Sequence, residues 1–384
     1  MVRRLLLGLA VGASTASASA SPRNATHHAL GDIYVNHYNG QNPLGIEAAP
    51  AREDNYFLVL GDWGKAGGPG VCQLAVADKM KAYVRERTAA GKKLLFVATT
   101  GDNFYWTGVQ PHSWEISWEA PYGPNDPDSP LHQVPWLGVL GNHDFGNSDP
   151  FACCPNRQAR ARAMAEGQPY GSLQFNADKN PERPDGTKRF WLPDYNYHYM
   201  IHEADLEVIA VDTNYFHVKE LGGDMKGHSA AFQTCGGAGE VEHFLAKVSK
   251  AGQALLRERA AKGYAKTVVI LQHYPRLCQK DVFEDALPEW RRKQTSVLCA
   301  YGHDHAQECQ GYDDQGSCNM LLSGGGGGCC EPEILSAGFA AVSLTQDGGF
   351  RAEIGTPDTS VPRGECRWLG WSFDSRTRLS RGAR

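Results

Sequence analysis

Side chains able to bind metal ions follow short apolar runs at several points in this sequence. Asp62 comes soon after the apolar residues 58–60, and Asp102 and Tyr105 come soon after the apolar residues 94–98. Three later runs are followed by residues of the same kind, namely Asn142 and His143, then His273, then His303 and His305. A short apolar run is typical of a buried strand, and loops leaving strand ends carry functional groups because the sheet fixes their backbone. The pattern therefore predicts a dinuclear metal site at the ends of five strands.

The two ions of such a site must share a ligand. Two-metal hydrolases hold their ions roughly 3.5–4 Å apart, so one ligand has to bridge them. A carboxylate has two oxygens for this purpose, and Asp102, central in the series, is the candidate bridge. The other ligands could divide into Asp62, Tyr105 and His305 for one ion and Asn142, His273 and His303 for the other. Because alternate residues of an extended segment diverge, two histidines one residue apart can serve neighbouring ions.

Tyr105 indicates which metals to expect. A phenolate is a hard, strongly donating oxygen ligand that suits an ion of high charge such as ferric iron. Since the pKa of a free tyrosine is about 10, only a strong Lewis acid keeps the phenolate deprotonated at low pH. The amide and imidazoles of the second set suit a divalent ion, which could be iron, zinc or manganese. We therefore expect Fe(III) together with a second, divalent metal.

His143 lies beside a candidate ligand but need not bind a metal itself. Its imidazole could hydrogen-bond a phosphate oxygen of a substrate or protonate a leaving alkoxide. Asp144, the next residue, could orient that imidazole or could cap the following turn. His143 is therefore the candidate catalytic residue.

Each of these residues has an ordinary structural explanation when it is taken alone. Asp62 and Asn142 follow glycines and could be turn residues. Tyr105 could be a core residue, and His273 could be a structural histidine. These explanations would have to hold independently at five successive strand ends, and this requirement favours the metal site.

Composition and charge restrict the class of protein. The 384 residues are 41% hydrophobic and 10% aromatic, which allows a sizeable core in one large domain or two ordinary ones. The formal net charge of -5 gives no electrostatic reason to expect nucleic-acid binding.

The N-terminus has the features of a secretory signal peptide, which we predict over residues 1–20. Arg3 and Arg4 form a short basic segment, residues 5–11 are apolar, and residues 18–20 form an Ala-Ser-Ala cleavage site. The apolar run is far too short to span a bilayer. We therefore expect an exported protein with no membrane segment, either secreted or delivered to a vacuole or lysosome.

The cysteine content agrees with export. All 11 cysteines follow the predicted signal peptide, and in an oxidising compartment most would form disulfides. An odd number leaves at least one cysteine free or bonded to another chain. The sequence has no CxxC pair, which argues against a cysteine-ligated zinc or redox site. Asn24 lies in an Asn-Ala-Thr sequon and is a candidate N-glycosylation site, unless its position near the new N-terminus leaves it unused.

The order of predicted elements favours an α/β fold. A strand over residues 56–60, a helical spacing of apolar residues over 71–84 and a strand over 94–98 form a β-α-β unit with its ligands at the carboxyl ends of the strands. Residues 151–186 are predicted to be a long polar excursion. Five glycines at 324–328 are most often a flexible loop, but they also lie where backbone could pass close to a metal cluster, and the structural interpretation is favoured. The predicted division is signal peptide 1–20, irregular lead-in 21–55, catalytic domain 56–355 and C-terminal tail 356–384.

Five sequence blocks resemble the metallophosphoesterase superfamily and, more narrowly, the small, tartrate-resistant form of the purple acid phosphatases. The blocks are Gly61-Asp62-Trp63-Gly64, Gly101-Asp102-Asn103-Phe104-Tyr105, Gly141-Asn142-His143-Asp144, His273-Tyr274-Pro275 and Gly302-His303-Asp304-His305. The general superfamily pattern has D-x-H in its first block, whereas Gly64 stands at the histidine position here. The purple acid phosphatases compensate with a tyrosine in the second block, which is Tyr105. The resemblance extends over about residues 56–354.

The resemblance implies a four-layer α/β/β/α sandwich and hydrolysis of phosphate monoesters at acidic pH. It implies Fe(III) bound by Asp62, Asp102, Tyr105 and His305, and a divalent metal bound by Asp102, Asn142, His273 and His303. A hydroxide on the metals would attack phosphorus in line while the ions and His143 stabilise charge on the phosphate oxygens. The expected substrates are small phosphorylated molecules, with phosphoproteins as a further option, and the oligomeric state stays open.

The sequence departs from the mammalian pattern at two features. A further substrate-binding histidine that follows the His-Tyr-Pro block has no counterpart in residues 276–290, which offer Asp281, Glu284 and Asp285 instead. The cysteines, including Cys153-Cys154 and Cys329-Cys330, are also more numerous than in that pattern. Substrate preference and disulfide pairing are therefore not carried over from the family.

Two other functions are compatible with the same residues. One is a metallophosphoesterase that acts on phosphodiesters or nucleotides. Such an enzyme would need a different pocket, and a comparison of the hydrolysis of a monoester and a diester would distinguish it from a phosphomonoesterase. The other is an exported binding protein in which the metal site is only structural. Removal of metal would separate these functions. It would abolish catalysis by an enzyme, whereas a binding protein has no catalytic activity to lose.

Overall fold

The computed structural model describes residues 34–36, 40, 44–65, 67–105, 108–109, 112–145, 174–175, 189–216, 238–275, 278, 282–313, 316–328 and 337–355. The predicted signal peptide (1–20), the Asn24 sequon and the predicted tail (356–384) lie outside these residues. Most of the predicted excursion over residues 151–186 lies outside them as well.

Thirteen strands and three long helices form the regular structure of the described residues. The strands are β1 (Val35–Asn36), β2 (Asn55–Leu60), β3 (Lys93–Thr99), β4 (Trp136–Gly138), β5 (Phe190–Trp191), β6 (Asn196–Ile201), β7 (Leu206–Ala210), β8 (Thr267–Leu271), β9 (Ser296–Tyr301), β10 (Gln307–Tyr312), β11 (Cys318–Ser323), β12 (Phe339–Leu344) and β13 (Phe350–Gly355). The helices are α1 (Val71–Ala89), α2 (Ala238–Lys262) and α3 (Val282–Arg292), and a short helical segment covers Trp114–Glu119 and Ala120–Tyr122.

The strands form two mixed sheets. The first sheet has the order β13-β12-β2-β3-β4-β5, in which β2 to β5 are parallel and β12 is antiparallel to both of its neighbours, β2 and β13. The second has the order β1-β6-β7-β8-β9-β11-β10, in which β7, β8, β9 and β11 are parallel. Parallel strands have their carboxyl ends at one edge of a sheet, and ligands of open α/β sheets bind at that edge. The predicted metal ligands follow β2, β3 and β4 in the first sheet and β8 and β9 in the second.

Helix α1 follows from the spacing of its apolar residues. Its buried residues repeat at intervals of one, three and four and so lie on one face; they are Cys72, Gln73, Val76, Ala77, Met80 and Val84. The helix ends at Ala89, and Gly91 beyond it has a φ of 75°, a left-handed conformation that suits a helix terminus. The helix predicted over residues 71–84 is therefore present.

The core is divided by the second sheet. In β8, Val269 and Leu271 pack in a cluster shared with the first sheet, whereas Val268 and Ile270 pack in a second cluster with Trp290 of α3. Successive residues of a strand point to opposite faces, so one face of the second sheet meets the first sheet and the other face meets α2 and α3. Helix α1 packs on the first sheet. The layers are therefore α/β/β/α, and the predicted fold class is confirmed.

Two disulfides lie close to the predicted histidine ligands. Cys278–Cys299 links the segment after β8 to strand β9, and Cys309–Cys318 links β10 to β11. Within the described residues, no helix has the length and apolar composition needed to cross a membrane.

Arg52 ties the segment that precedes β2 to both sheets. Its guanidinium donates hydrogen bonds to the carbonyl oxygens of Ala204 and Gly349, at 3.1 Å each, and also to Thr345 O and Thr267 Oγ1. Burial lowers the pKa of Arg52. The predicted lead-in, through Arg52, is therefore cross-linked to both sheets.

We expect Arg52→Ala to lower the free energy of unfolding by about 2–4 kcal/mol, because several acceptors lose a charged hydrogen-bond donor. Lys92→Ala is the control, since Lys92 makes a single, partly exposed ion pair with Asp54 and its replacement should cost at most about 1 kcal/mol. Urea unfolding with the disulfides intact measures both. Equal effects of the two variants would show that Arg52 does not link the sheets energetically.

Candidate metal centre

Three of the seven predicted metal ligands have an uncommon backbone conformation. Asp62, Asp102 and His303 have φ angles of 57°, 48° and 74°, in the left-handed region. Such residues carry strain and concentrate at functional sites, where the surrounding structure holds them in place. Asp62 N donates to the carbonyl oxygen of Gly101 at 3.0 Å, which joins the loop after β2 to the loop after β3. The strand ends therefore lead directly into tight, mutually bonded turns.

Tyr105 brings the first set of predicted ligands together. Its hydroxyl oxygen lies 2.9 Å from Asp62 Oδ1, 3.1 Å from Asp102 Oδ2 and 3.1 Å from His305 Nε2. His305 Nε2 in turn lies 3.5 Å from Asp62 Oδ1. Ligand atoms that are about 2.1 Å from one ion and at right angles to each other are about 3 Å apart. These four side chains therefore have the spacing of a coordination shell.

His273 is the centre of the second set. Its Nε2 lies 3.0 Å from Asn142 Oδ1 and 3.5 Å from Asp102 Oδ2. Its Nδ1 lies 2.8 Å from the carbonyl oxygen of Thr100, which can only accept a hydrogen bond. Nδ1 therefore carries the proton, and Nε2 offers its lone pair to a metal. The His303 ring is 5.3 Å from the His273 ring, centroid to centroid.

Asp102 is placed to serve both sets through one of its oxygens. Oδ2 is the atom that approaches both Tyr105, at 3.1 Å, and His273, at 3.5 Å. Oδ1 instead accepts the backbone N–H of His143 at 2.9 Å. The sequence predicts Asp102 as a bridge because a carboxylate has two oxygens. In the structure, Oδ2 is the oxygen that lies near both sets of ligands, and Oδ1 is held by a backbone hydrogen bond.

The burial of two carboxylates favours a positive ion between them. Asp62 and Asp102 are each 1% exposed. Burial, followed by the charge of Asp102, raises the pKa of Asp62 well above its usual range. Burial also raises the pKa of Asp102, but His273 and His143, when protonated, together with the backbone N–H of His143 outweigh burial and lower that pKa to about 2. Asp62, Asp102 and His273 place ligand atoms within 4.8 Å of one another, so the residues present fit a metal site.

His143 lies at the rim of this cluster. Its side chain is 14% exposed, and its Nε2 is 4.0 Å from Asp102 Oδ2. Its ring packs on that of Tyr105 with a centroid distance of 4.5 Å. The imidazole is therefore adjacent to the predicted ligands and still reachable from solvent.

Asp144 joins two of the loops that carry ligands. Its buried carboxylate accepts the N–H groups of Asn103 and Phe104, each at 3.0 Å, in the loop after β3, and that of Gly141, at 2.8 Å, in the loop after β4. Burial, followed by the charge of Asp102, raises the pKa of Asp144 to about 7, and these N–H donors oppose the rise. The sequence analysis offered a cap for the following turn, whereas these hydrogen bonds go to Gly141, which precedes Asp144, and to the neighbouring loop, which the sequence did not suggest.

Gln174 is a residue of the site that the sequence did not reveal. Its Nε2 donates to Asp144 Oδ1 at 2.6 Å, and its Oε1 accepts from Asn103 Nδ2 at 3.1 Å. It is 1% exposed, although it lies within the segment predicted to be a polar excursion. Asn103 could have been found from its position between two predicted ligands of one motif. Gln174 has no such signal, because only the folded chain brings it to Asp144.

The glycine run packs against the loop that carries Asp62. Gly326 N donates to Gly61 O and Gly328 N donates to Asp62 O, each at 2.9 Å. A Cβ added to Gly324 would lie 2.9 Å from Asp62 Oδ2. The run is buried, so its glycines serve close packing of backbone on backbone beside the predicted ligands.

Comparison with known proteins agrees with this geometry. Residues 56–307, more than half of the chain, match the family described as calcineurin-like phosphoesterase. The chain belongs to that family. Among curated proteins, purple acid phosphatase 17 of Arabidopsis thaliana is 33% identical over 110 residues, which is 28% of this chain and 29% of that protein.

Two further relatives have related names. Purple acid phosphatase 7 of Arabidopsis thaliana is 40% identical over 94 residues, which is 23% of this chain and 24% of that protein. Human tartrate-resistant acid phosphatase type 5 is 33% identical over 105 residues, which is 27% of this chain and 30% of that protein. The chain thus spans less than a third of the length of the curated relatives it matches. The resemblance to the purple acid phosphatases is confirmed for these parts of the phosphoesterase domain.

We expect Asp144→Asn to lower the free energy of unfolding by about 2–4 kcal/mol, because the new amide nitrogen would face buried N–H donors. Asp347→Asn is the matched control, since Asp347 also accepts a backbone N–H, from Gly349 at 3.2 Å, but in an exposed turn. It should cost less than about 1 kcal/mol. Denaturant titration of the two variants decides the point, and similar losses would mean that Asp144 does not hold the two loops together.

Proposed function

We propose that this protein is a phosphate monoester hydrolase of the purple acid phosphatase type, with a dinuclear Fe(III)–divalent metal centre. The observation that carries the proposal is the surroundings of the Tyr105 hydroxyl, which lies within hydrogen-bonding distance of Asp62, Asp102 and His305. A neutral phenol has one proton and can donate it to only one of the two carboxylates. A cation that binds the phenolate oxygen and its three neighbours satisfies all four.

The proposed ligands divide as the distances suggest. Fe(III) would be held by Asp62, Asp102, Tyr105 and His305, and the divalent ion, which would be iron, zinc or manganese, by Asp102, Asn142, His273 and His303. When bound, the two ions would supply an acidified water as nucleophile and positive charge for the phosphate oxygens. The hydrogen bond that His273 Nδ1 donates to Thr100 O keeps Nε2 free of a proton for this purpose.

His143 would act on the substrate rather than on a metal. Its backbone N–H is fixed on Asp102 Oδ1 at 2.9 Å, which places the imidazole beside the shared carboxylate. From there it could donate a hydrogen bond to a phosphate oxygen or a proton to the leaving alkoxide. Proton donation of this kind typically contributes about 10²–10⁴-fold to a rate.

The limits of the catalytic domain and the destination of the protein are part of the same proposal. The catalytic domain would cover residues 56–355, preceded by a signal peptide at 1–20 and a lead-in at 21–55, with a tail at 356–384. The protein would be secreted or delivered to a vacuole or lysosome, and Asn24 would carry a glycan. The disulfides Cys278–Cys299 and Cys309–Cys318 support export, because such bonds persist in oxidising compartments. The substrates would be small phosphate monoesters, with phosphoproteins as a further class.

Colour tests the iron assignment. We expect the purified protein to be purple or pink from a phenolate–ferric charge-transfer band, and Tyr105→Phe to abolish that band, because no phenolate oxygen remains at the metal. Tyr83→Phe is the control, since the Tyr83 hydroxyl contacts Glu353, which lies in β13 at the edge of the first sheet. The measurement is the visible spectrum with metal analysis.

The result separates the possible functions. A colourless protein with two divalent metals that cleaves a diester better than a monoester would favour a general phosphodiesterase instead. A colourless, metal-free and inactive protein would contradict the enzyme assignment and favour an exported binding protein.

The catalytic role of His143 gives a second test. His143→Asn should lower kcat for a monoester such as p-nitrophenyl phosphate by about 10²–10⁴-fold while the visible band and metal content stay unchanged. His202→Asn is the control, because His202 is exposed and contacts Tyr264, which lies between α2 and β8. Loss of metal in His143→Asn would show instead that His143 is a ligand.

A further inference from the structure

Tyr274, next to the predicted ligand His273, hydrogen-bonds another predicted ligand. Its hydroxyl donates to Asn142 Oδ1 at 2.9 Å. The side chain is only 7% exposed. An amide oxygen can only accept a hydrogen bond, so the phenol hydroxyl is the donor in this contact.

The ring of Tyr274 also packs on both histidines of the second set. It lies 4.3 Å from the His303 ring, at an interplanar angle of 46°. It lies 5.0 Å from the His273 ring, at 84°. One side chain thus contacts all three residues that would bind the divalent ion without the iron, namely Asn142, His273 and His303.

The backbone of Tyr274 is fixed independently of these contacts. Its N–H donates to Thr213 Oγ1 at 2.8 Å, and that of His273 approaches the same oxygen at 3.3 Å. Thr213 follows β7 and is fully buried. Tyr274 therefore extends from a rigid strand end, as a group that orients metal ligands should.

The contact with Asn142 determines which end of its amide faces the ion. An amide oxygen has two lone pairs, whereas the amide nitrogen has none to offer a cation. If Tyr274 donates to one lone pair of Oδ1, the other remains for the metal, and rotation of the amide by 180° would break the hydrogen bond. Without the hydroxyl, both orientations would become available.

We propose that Tyr274 is a positioning residue for the divalent ion: its hydroxyl fixes the amide of Asn142 and its ring supports His273 and His303. The proposal rests on the two-metal centre proposed above. It predicts that the two metals respond differently to one substitution, because the contacts of Tyr274 lie on the ligands of the divalent ion.

The experiment uses the full chain with iron bound, titrated with Zn²⁺ against a chelating competitor. We expect Tyr274→Phe to weaken Zn²⁺ binding by about 10- to 100-fold, the usual effect of removing a group that orients a ligand. The visible band of the iron should keep its intensity, because Tyr105, Asp62 and His305 are untouched.

Tyr197→Phe is the matched control. Tyr197 is fully buried and its hydroxyl donates to the carbonyl oxygen of Gly138 at 2.9 Å, within the core between the sheets. This variant loses a buried hydroxyl of the same kind and should bind Zn²⁺ as the unaltered protein does. A comparison of melting temperatures for the two metal-free variants separates a general loss of stability from a local loss of metal binding.

A double-mutant cycle tests whether Tyr274 acts through Asn142. Asn142→Ala should weaken Zn²⁺ binding by itself, and Tyr274→Phe should then add no further loss. The proposal is overturned if Tyr274→Phe binds Zn²⁺ as tightly as the control does, or if its effect is undiminished in the Asn142→Ala background. It is also overturned if the iron band is lost together with Zn²⁺. An unaltered protein that shows neither the band nor Zn²⁺ binding would refute the two-metal centre itself.

Discussion

The site depends on the electrostatic cost of placing two carboxylates and a phenol in one buried volume. Two like charges about 4 Å apart repel by about 4 kcal/mol at the effective dielectric constant of a protein site. The whole free energy of folding of a domain is only about 5–15 kcal/mol. Hydrogen bonds from the backbone, such as those of His143 to Asp102 and His303 to Asp62, offset part of this cost. The metal ions proposed for the site would offset the rest.

This arrangement requires backbone to approach the carboxylates closely. A Cβ added to Gly141 would lie 2.2 Å from Asp102 Oδ1, and one added to Gly302 would lie 2.5 Å from Asp62 Oδ2. The glycine that precedes a ligand is thus needed because a neighbouring loop's carboxylate occupies the space of its side chain. The loops after β4 and β9 belong to different sheets. The same close approach of a glycine to a carboxylate is therefore found on both sheets where they meet at the site.

Much of the fold and the site follows from the sequence because strand and ligand are adjacent in the chain. An apolar run marks the strand, and the polar residue after it is delivered to the sheet edge whatever the rest of the chain does. The supporting contacts have no such local cause. Tyr274 reaches Asn142 across 132 positions, and Gln174 reaches Asp144 across 30, so only the folded chain brings these partners together. The contacts of Arg52 with residues up to 297 positions away belong to the same class.

The placement of Gln174 has a consequence for how this chain could vary in length. The segment between Phe145 and Arg189 connects the ligand-bearing loop after β4 to strand β5. Its Gln174 hydrogen-bonds Asp144 in that loop. Removal of the whole segment would leave the buried Asp144 and Asn103 without this partner. A shortened form of the chain would therefore need to keep this glutamine, or a side chain with the same donor and acceptor.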